Sequence, residues 1–456
     1  MEAEDSHEFR RHSISESIYS QIPDISWNIA GNHAFDFAWT PFKLLSNVRQ
    51  LIPYFPKSFR IAKRQAEITM KNISPGKEKH RLLPSSPFRS FCGVPIGSLG
   101  SGSIDRSIFG DFLRMRLFPG QRHSDYLDGC MFIATIRQND KLLCQYSLCK
   151  EPSLTSRHLS LQTFSYIPSE YTHYYALYPR SWTVYKIPNI ATLMVRQLSP
   201  VIPHNYDDSS IPACSFEWSI VNCSSDKDDL EISITFCWKS DFDDIPTNQD
   251  FINNKTGCKG VTSCGKIKGC SISFGIMSES QEFPNSISCL RNVSLEILAE
   301  ARLFWKDLQN NGCLSDTNSV YSVNGKHFAV CNKNILHHGE RKTAKFILAW
   351  HAPHIKFHNS DKLFTRYYMK IFDDKGNVDV TDILMYSFKK VSTWEKQIDE
   401  WQHPFLISSD LSKSTKCFLL NELYYLTSGG SLWLKSPDED DGPMREWGKF
   451  MLLEGW

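Results

Sequence analysis

The chain has 456 residues with 51 Lys+Arg against 50 Asp+Glu, so its net charge is near zero and neither a nucleic-acid partner nor a strongly acidic one is expected. A hydrophobic share of 41%, of which aromatic residues make 13% of the chain, is enough to build sizeable cores and excludes a disordered chain; the length predicts two or three domains. The 14 cysteines are scattered without a CxxC pair, and Cys258, Cys264 and Cys270 recur at an interval that does not suit zinc, so reduced thiols, no metal and no cofactor are expected.

Taken in chain order, Met1 to Arg11 are charged and lack an apolar centre, so a secretion signal is not expected. Sequons begin at Asn72, Asn222, Asn254 and Asn292 and are therefore expected to be unused. No uninterrupted apolar run is long enough to span a bilayer. Residues 1–35 read as a loose polar tail. Residues 36–82 are basic, with Lys43, Arg49, Lys57, Arg60, Lys63, Arg64, Lys71, Lys77, Lys79 and Arg81 facing only Asp36, Glu67 and Glu78. Phe42, Leu44, Leu45, Val48, Leu51 and Ile52 interleave at a partly helical spacing. Such a stretch suits an anionic membrane surface, or it is an ordinary solvated helix packed on a domain.

From about 90 to 357 the pattern is that of β-structure. Two apolar runs, 130–136 and 141–148, flank Asn139-Asp140 and predict a hairpin. Phe216, Trp218 and Ile220 alternate with polar residues, and after a polar break Leu230, Ile232, Ile234 and Phe236 do so again. Asn324-Gly325 between 320–323 and 327–330 predicts a second hairpin. Many short strands without intervening helices mean a sandwich or barrel and exclude a Rossmann or TIM domain here.

Near 381 the period switches to 3.6. Leu384, Phe388, Val391, Trp394, Ile398 and Trp401 line one helical face after a Thr381-Asp382 start signal, with Pro404 beyond the end. A second helix carries Cys417, Leu420, Leu423 and Tyr424 and stops at Gly429-Gly430. An all-helical domain therefore begins near 380, but about 75 residues cannot close a large one. Leu384, Phe388, Trp394 and Trp401 then lack cover unless they dock on the sandwich. The division expected is 1–82 tail and basic segment, 83–360 β-sandwich, and 378–456 helical.

The Gly-rich segment GVPIGSLGSGSIDR, residues 93–106, is neither G-x-G-x-x-G nor a P-loop, so Gly97, Gly100 and Gly102 are read as sites of tight turning or close backbone approach. Carboxylates gather late in the chain, at Glu422, 438–441, Glu446 and Glu454. A glycosidase of the common kind needs two of them across the scissile bond, but spacing alone singles out none.

Six blocks, however, resemble one family in its order: SFCGVPIGSLGSGSIDRSIFGDFLRMRLFPG (90–120), YYALYPRSWTVYKIP (174–188), VRQLSPVIPHNYDDSSIP (195–212), FILAWHAP (346–353), WEKQIDEWQHP (394–404) and LNELYYLTSGGSLWL (420–434). They are similar to the non-lysosomal glucosylceramidases, or bile-acid β-glucosidases, of glycoside hydrolase family 116. The resemblance implies an N-terminal β-sandwich followed by an (α/α)6 toroid, here incomplete. It implies retaining hydrolysis of the β-glucosidic bond of glucosylceramide or other β-glucosides, by a peripheral protein on the cytosolic face of the endoplasmic reticulum, Golgi or plasma membrane. The family nucleophile lies in a segment like G-R-F-G-Y-L-E-G, matched here by GKFMLLEG (448–455), which gives Glu454 that role. The acid/base aspartate falls beyond residue 456 in the family, so the chain is expected to be C-terminally truncated and inactive as it stands. A non-catalytic remnant that binds carbohydrate or membrane is the alternative, and a generic β-sandwich binding protein the third.

Overall fold

The computed structural model describes residues 18–31, 92–118, 127–151, 159–224, 228–279, 286–315, 321–322, 324–357, 363–372, 376–427, 431–435 and 449–452. All belong to one compact unit formed by Met1–Asn32 with Cys92–Trp456. The basic stretch 36–82 and the membrane contact expected of it lie outside the described residues.

Two antiparallel sheets face each other. Among the described residues the larger has nine strands, in the order Trp27–Ala30, Thr172–Leu177, Arg180–Ile187, Ala191–Leu198, Ala213–Asn222, Arg341–His351, Cys270–Glu279, Cys258–Ile267 and Thr247–Asn253. The smaller has five, in the order Ile287–Val293, His327–Leu336, Leu230–Lys239, Met131–Gln138 and Lys141–Ser147. The alternation in the sequence sets which side chains meet. Phe216, Trp218 and Ile220 point from the large sheet, and Ile232, Ile234 and Phe236 from the small one, into a shared core. Phe132 stacks on Phe236 at 4.1 Å between centroids and meets Phe216 and Trp218 edge-on at 5.1 Å. The sandwich expected from the sequence is therefore the observed fold.

The Asn139-Asp140 hairpin also forms. Both residues have positive φ, +49° and +61°, the conformation of a two-residue turn matched to the strand twist. The Asn324-Gly325 hairpin does not. Strand His327–Leu336 already has a neighbour on each edge, Leu230–Lys239 and Ile287–Val293, so no edge is left for the residues before it. Gly325 instead closes a turn, donating its N–H to the Ser322 carbonyl at 3.0 Å.

Both sheets carry a second apolar layer outside. Helix α1, Leu298–Asn311, lays Ala301, Phe304, Trp305 and Leu308 on Met131, Ile133, Cys237 and Ala329 of the small sheet. Helix α2, Val380–Ile407, opens on a reciprocal cap in which Asp379 accepts from the N–H groups of Thr381 and Asp382 while Asp382 accepts from that of Asp379. Its buried stripe of Val380, Ile383, Leu384, Val391, Trp394 and Ile398 lies on Leu198, Ala213, Met277, Ile347 and Ala349 of the large sheet. Gly275 permits the approach, since a Cβ there would stand 2.6 Å from a Leu384 methyl. Leu384 and Trp394 thus find their cover on the sandwich. Pro404 sits inside the last turn of α2 rather than beyond it. So near the end of the helix it removes a single backbone bond. Helix α3, Lys413–Asn421, is capped by Ser412 and buries Leu420.

The beginning of the chain differs from the expected tail. Ile18, Ile22 and Ile25 pack on Leu177, Trp182, Val184 and Met194, next to Leu420 of α3. Trp27–Ala30 then pairs with 173–176 and extends the large sheet. The physical reason is the spacing of four isoleucines, 18, 22, 25 and 29, which the charged surroundings conceal.

Candidate active site

Four segments distant in sequence converge beside the sandwich: the Gly-rich turn 97–102, the loop 203–210, in which Tyr206–Ser209 make one helical turn capped by Asn205, Arg366-Tyr367, and the strand Ser431–Leu434. The turn bends where φ is positive, at Gly97, Gly100 and Gly102. At Gly100, with φ +75°, an added Cβ would stand 2.2 Å from the Trp433 Cβ. Close approach, the role read from the sequence, is what this glycine provides.

Hydrogen bonds fasten the segments. Gly100 donates its N–H to Ser431 Oγ at 3.1 Å, and its carbonyl accepts from the Trp433 N–H at 3.2 Å. Arg366 is fully buried and has no carboxylate among its described contacts; it donates to the carbonyls of Gly100, at 3.1 Å, and Leu117. Burial pushes its guanidinium down to about 10, which leaves it protonated at neutral pH and able to donate. Leu99 donates its N–H to the Ser209 carbonyl at 2.8 Å, and the hydroxyls of Ser98 and Ser101 donate to that of Ser210 at 3.1 and 2.7 Å.

The aromatic part lies over this frame. Tyr367 stacks on Trp433 with centroids 4.1 Å apart and planes 12° from parallel, and Tyr206 meets Trp433 edge-on at 6.1 Å. The Tyr367 hydroxyl donates to Asp207 Oδ1 at 2.8 Å. Burial, reinforced by that carboxylate, raises the Tyr367 phenol, which keeps it a donor. On the other side Asp208 is buried and accepts from Tyr386 and Asn205, and Asn205 donates to Gln397 of α2 at 3.0 Å.

Strand Ser431–Leu434 pairs antiparallel with Lys449–Leu452, and Ser431 is the register partner of Leu452. The return strand therefore ends opposite the residue that Gly100 holds. Glu454, the residue matched to the family nucleophile, follows Leu452 by two positions and lies outside the described residues, as do the carboxylates at 438–441 and Glu446. Glu422 is exposed at the start of a 3-10 turn, Glu422–Leu426.

Arg366 and Tyr367 belong to none of the six sequence blocks. The signal that could have found them is an arginine set among aromatic residues, FTRYY, where a solvated strand would not place it. No group of His, Cys, Asp or Glu able to hold a metal occurs among the described residues.

A family model described as beta-glucosidase 2, glycosyl-hydrolase family 116 N-term, matches residues 93–394. Among solved structures, the chain is similar to a protein assigned as a kojibiose phosphorylase from human microbiome, at 11% identity and TM-score 0.35, over 74% of this chain and 39% of that one. It is also similar to a family GH92 alpha-mannosidase from Bacteroides thetaiotaomicron, at 13% identity and TM-score 0.32, over 80% of this chain and 42% of that one. The chain spans about two fifths of the length of both.

Proposed function

We propose, from the premise that the chain belongs to glycoside hydrolase family 116 as the match over residues 93–394 establishes, that it serves the retaining hydrolysis of β-glucosides, glucosylceramide among them. The observation that carries this reading is the convergence of the Gly-rich turn on the hairpin whose return strand runs toward Glu454. In a retaining reaction one carboxylate attacks the anomeric carbon, and a second carboxyl about 5 Å away protonates the leaving oxygen and then activates water. Glu454 is the proposed nucleophile. The frame of Gly100, Ser431 and Arg366 fixes the strand before it, and misplacement of a reacting group by about 1 Å costs on the order of 10²-fold in rate.

The helices α2 and α3 are proposed to open an (α/α)6 toroid, and residues 36–82 to provide peripheral contact with a cytosolic membrane face. No helix among the described residues is long and apolar enough to cross a membrane. A glycolipid substrate suits work at a surface, with anionic lipid attracting basic residues by about 1 kcal/mol each.

The test is cleavage of 2,4-dinitrophenyl β-D-glucoside, whose leaving group needs no acid, and of its α-anomer, with azide as an acceptor that needs no base, by the wild type and Glu454→Gln. Selective turnover of the β-anomer, lost in the variant, supports the reading; turnover of both anomers, or activity retained by the variant, overturns it.

A further inference from the structure

The loop 203–208 carries chemistry that neither the frame nor Glu454 uses. Its inner half is fully engaged: Asn205 bonds Asp208 and Gln397, and Asp208 also takes the hydroxyl of Tyr386. His204, a non-glycine residue, is held at φ +64°, a conformation that a side chain rarely adopts unless its surroundings impose it. Its outer half faces away. Tyr206 is 36% exposed, and Asp207 is exposed with only Oδ1 engaged, by Tyr367; Oδ2 takes no protein donor among the described residues. Thus a loop braced from behind by α2 presents one aromatic ring and one carboxylate whose Oδ2 takes no donor among the described residues, next to Trp433.

These two groups complement a pyranose. The ring covers the apolar C–H face of a sugar, and a carboxylate oxygen accepts from its hydroxyls, a charge-assisted bond stronger than a neutral one. Preorganisation adds to the effect, because neither group must be ordered when the sugar arrives. We infer that Tyr206 and Asp207 form one wall of a sugar-binding subsite, with Tyr206 stacking on the pyranose and Asp207 Oδ2 accepting from its hydroxyls. The inference rests on the proposed function, since that reading makes a β-glucoside the ligand at this place.

The test uses the full chain and methyl β-D-glucopyranoside, with affinity read by ligand-observed NMR titration. The variants are Tyr206→Ala, Asp207→Asn and, as a control, Tyr424→Ala, an exposed tyrosine outside the loop. Wild type and the control are expected to bind alike, and each loop variant about tenfold more weakly, Asp207→Asn through the loss of a charge-assisted hydrogen bond and Tyr206→Ala through the loss of the stacked face. Thermal melts establish that the variants fold, and Asp207→Glu, which keeps the charge, is expected to recover part of the affinity. Unchanged binding in both loop variants while the wild type binds overturns this inference and leaves the proposed function standing. Absence of any binding by the wild type overturns both.

Discussion

The sandwich core and the junction beside it are held together in opposite ways. In the core, Phe132, Phe216, Trp218 and Phe236 touch one another through rings, and much of the attraction is non-directional burial shared among many neighbours. In the junction Trp433 also stacks on Tyr367 and Leu432 and Leu434 reach the core, but Gly100, Ser431, Trp433 and Arg366 are set by single backbone and hydroxyl atoms, where one added methyl collides. A core of the first kind supplies stability; a contact set of the second kind supplies position. The comparison teaches where each sort of change should be felt.

The largest effect is expected in the core. Trp218→Ala removes a fully buried ring that meets Phe132 at 5.1 Å and stacks on Tyr185 at 6.1 Å. A loss of about 3–5 kcal/mol is expected. Urea unfolding followed by circular dichroism should show the whole transition displaced. A shift confined to one spectroscopic probe would break the account of a shared core.

Gly100→Ala sharpens the contrast. A β-carbon at φ +75°, 2.2 Å from that of Trp433, must displace the strand Ser431–Leu434, at about 1–3 kcal/mol of local strain. The sandwich transition should move less than for Trp218→Ala, while hydrogen exchange accelerates in residues 431–434. Equal global destabilisation by the two variants would mean that the strand's seat in the core, through Leu432 and Leu434, outweighs its contact with Gly100.

Acid should reach both sheets, through His327 of the small one and His351 of the large one. Burial, with Lys239 nearby, holds His327 down at about 4, and burial holds His351 at about 4. The unfolded chain takes up these protons near pH 6.5, before the folded one does. Their contribution is therefore complete above about pH 6.5 and is lost as pH falls toward about 4, at up to about 1.4 kcal/mol per pH unit for each histidine. His351→Gln should flatten the decline of unfolding free energy between pH 6.5 and 4. An unchanged slope would contradict it.

The smallest effect concerns the polar seam between α2 and the large sheet. Arg196 pairs with Glu217 at 3.0 Å and with Glu395 of α2, whose carboxyl is raised by burial against the pull of Arg196. Because the apolar stripe of Trp394 and Ile398 carries the docking, Glu395→Gln should cost about 1 kcal/mol or less in thermal melts. A loss as large as that of Trp218→Ala would show that charge, not burial, seats the helix.

The same contrast explains what the sequence made legible. Strands such as Leu230–Lys239 advertise themselves because a sheet face repeats every second residue, and α2 does so through its capping box and apolar stripe. The N-terminal strand Trp27–Ala30 escaped because its partner, 173–176, lies far along the chain and only four isoleucines mark the approach. Asn324-Gly325 misled because a turn signal is local, whereas pairing depends on which strand edges are already occupied. Of the site, the glycines were legible as points of close approach, but nothing in the spacing says that Gly100 meets Trp433 or that Arg366 donates to the Gly100 carbonyl. The Gly100–Ser431 bond of the same frame joins residues 331 positions apart. The role proposed for Glu454 rests on family resemblance alone.

The central proposal is that the junction holds the strand pair that leads in sequence to Glu454, and that Glu454 is the nucleophile of a β-glucosidase. It is tested most directly by trapping with 2,4-dinitrophenyl 2-deoxy-2-fluoro-β-D-glucoside, whose leaving group needs no acid and whose fluorine slows release of the glycosyl-enzyme. After proteolysis and mass spectrometry, the account predicts a fluoroglucosyl ester on the peptide containing Glu454, formed more slowly in Gly100→Ala and absent in Glu454→Gln. A folded chain that is labelled on another carboxylate, or that leaves Glu454 unmodified, would contradict it.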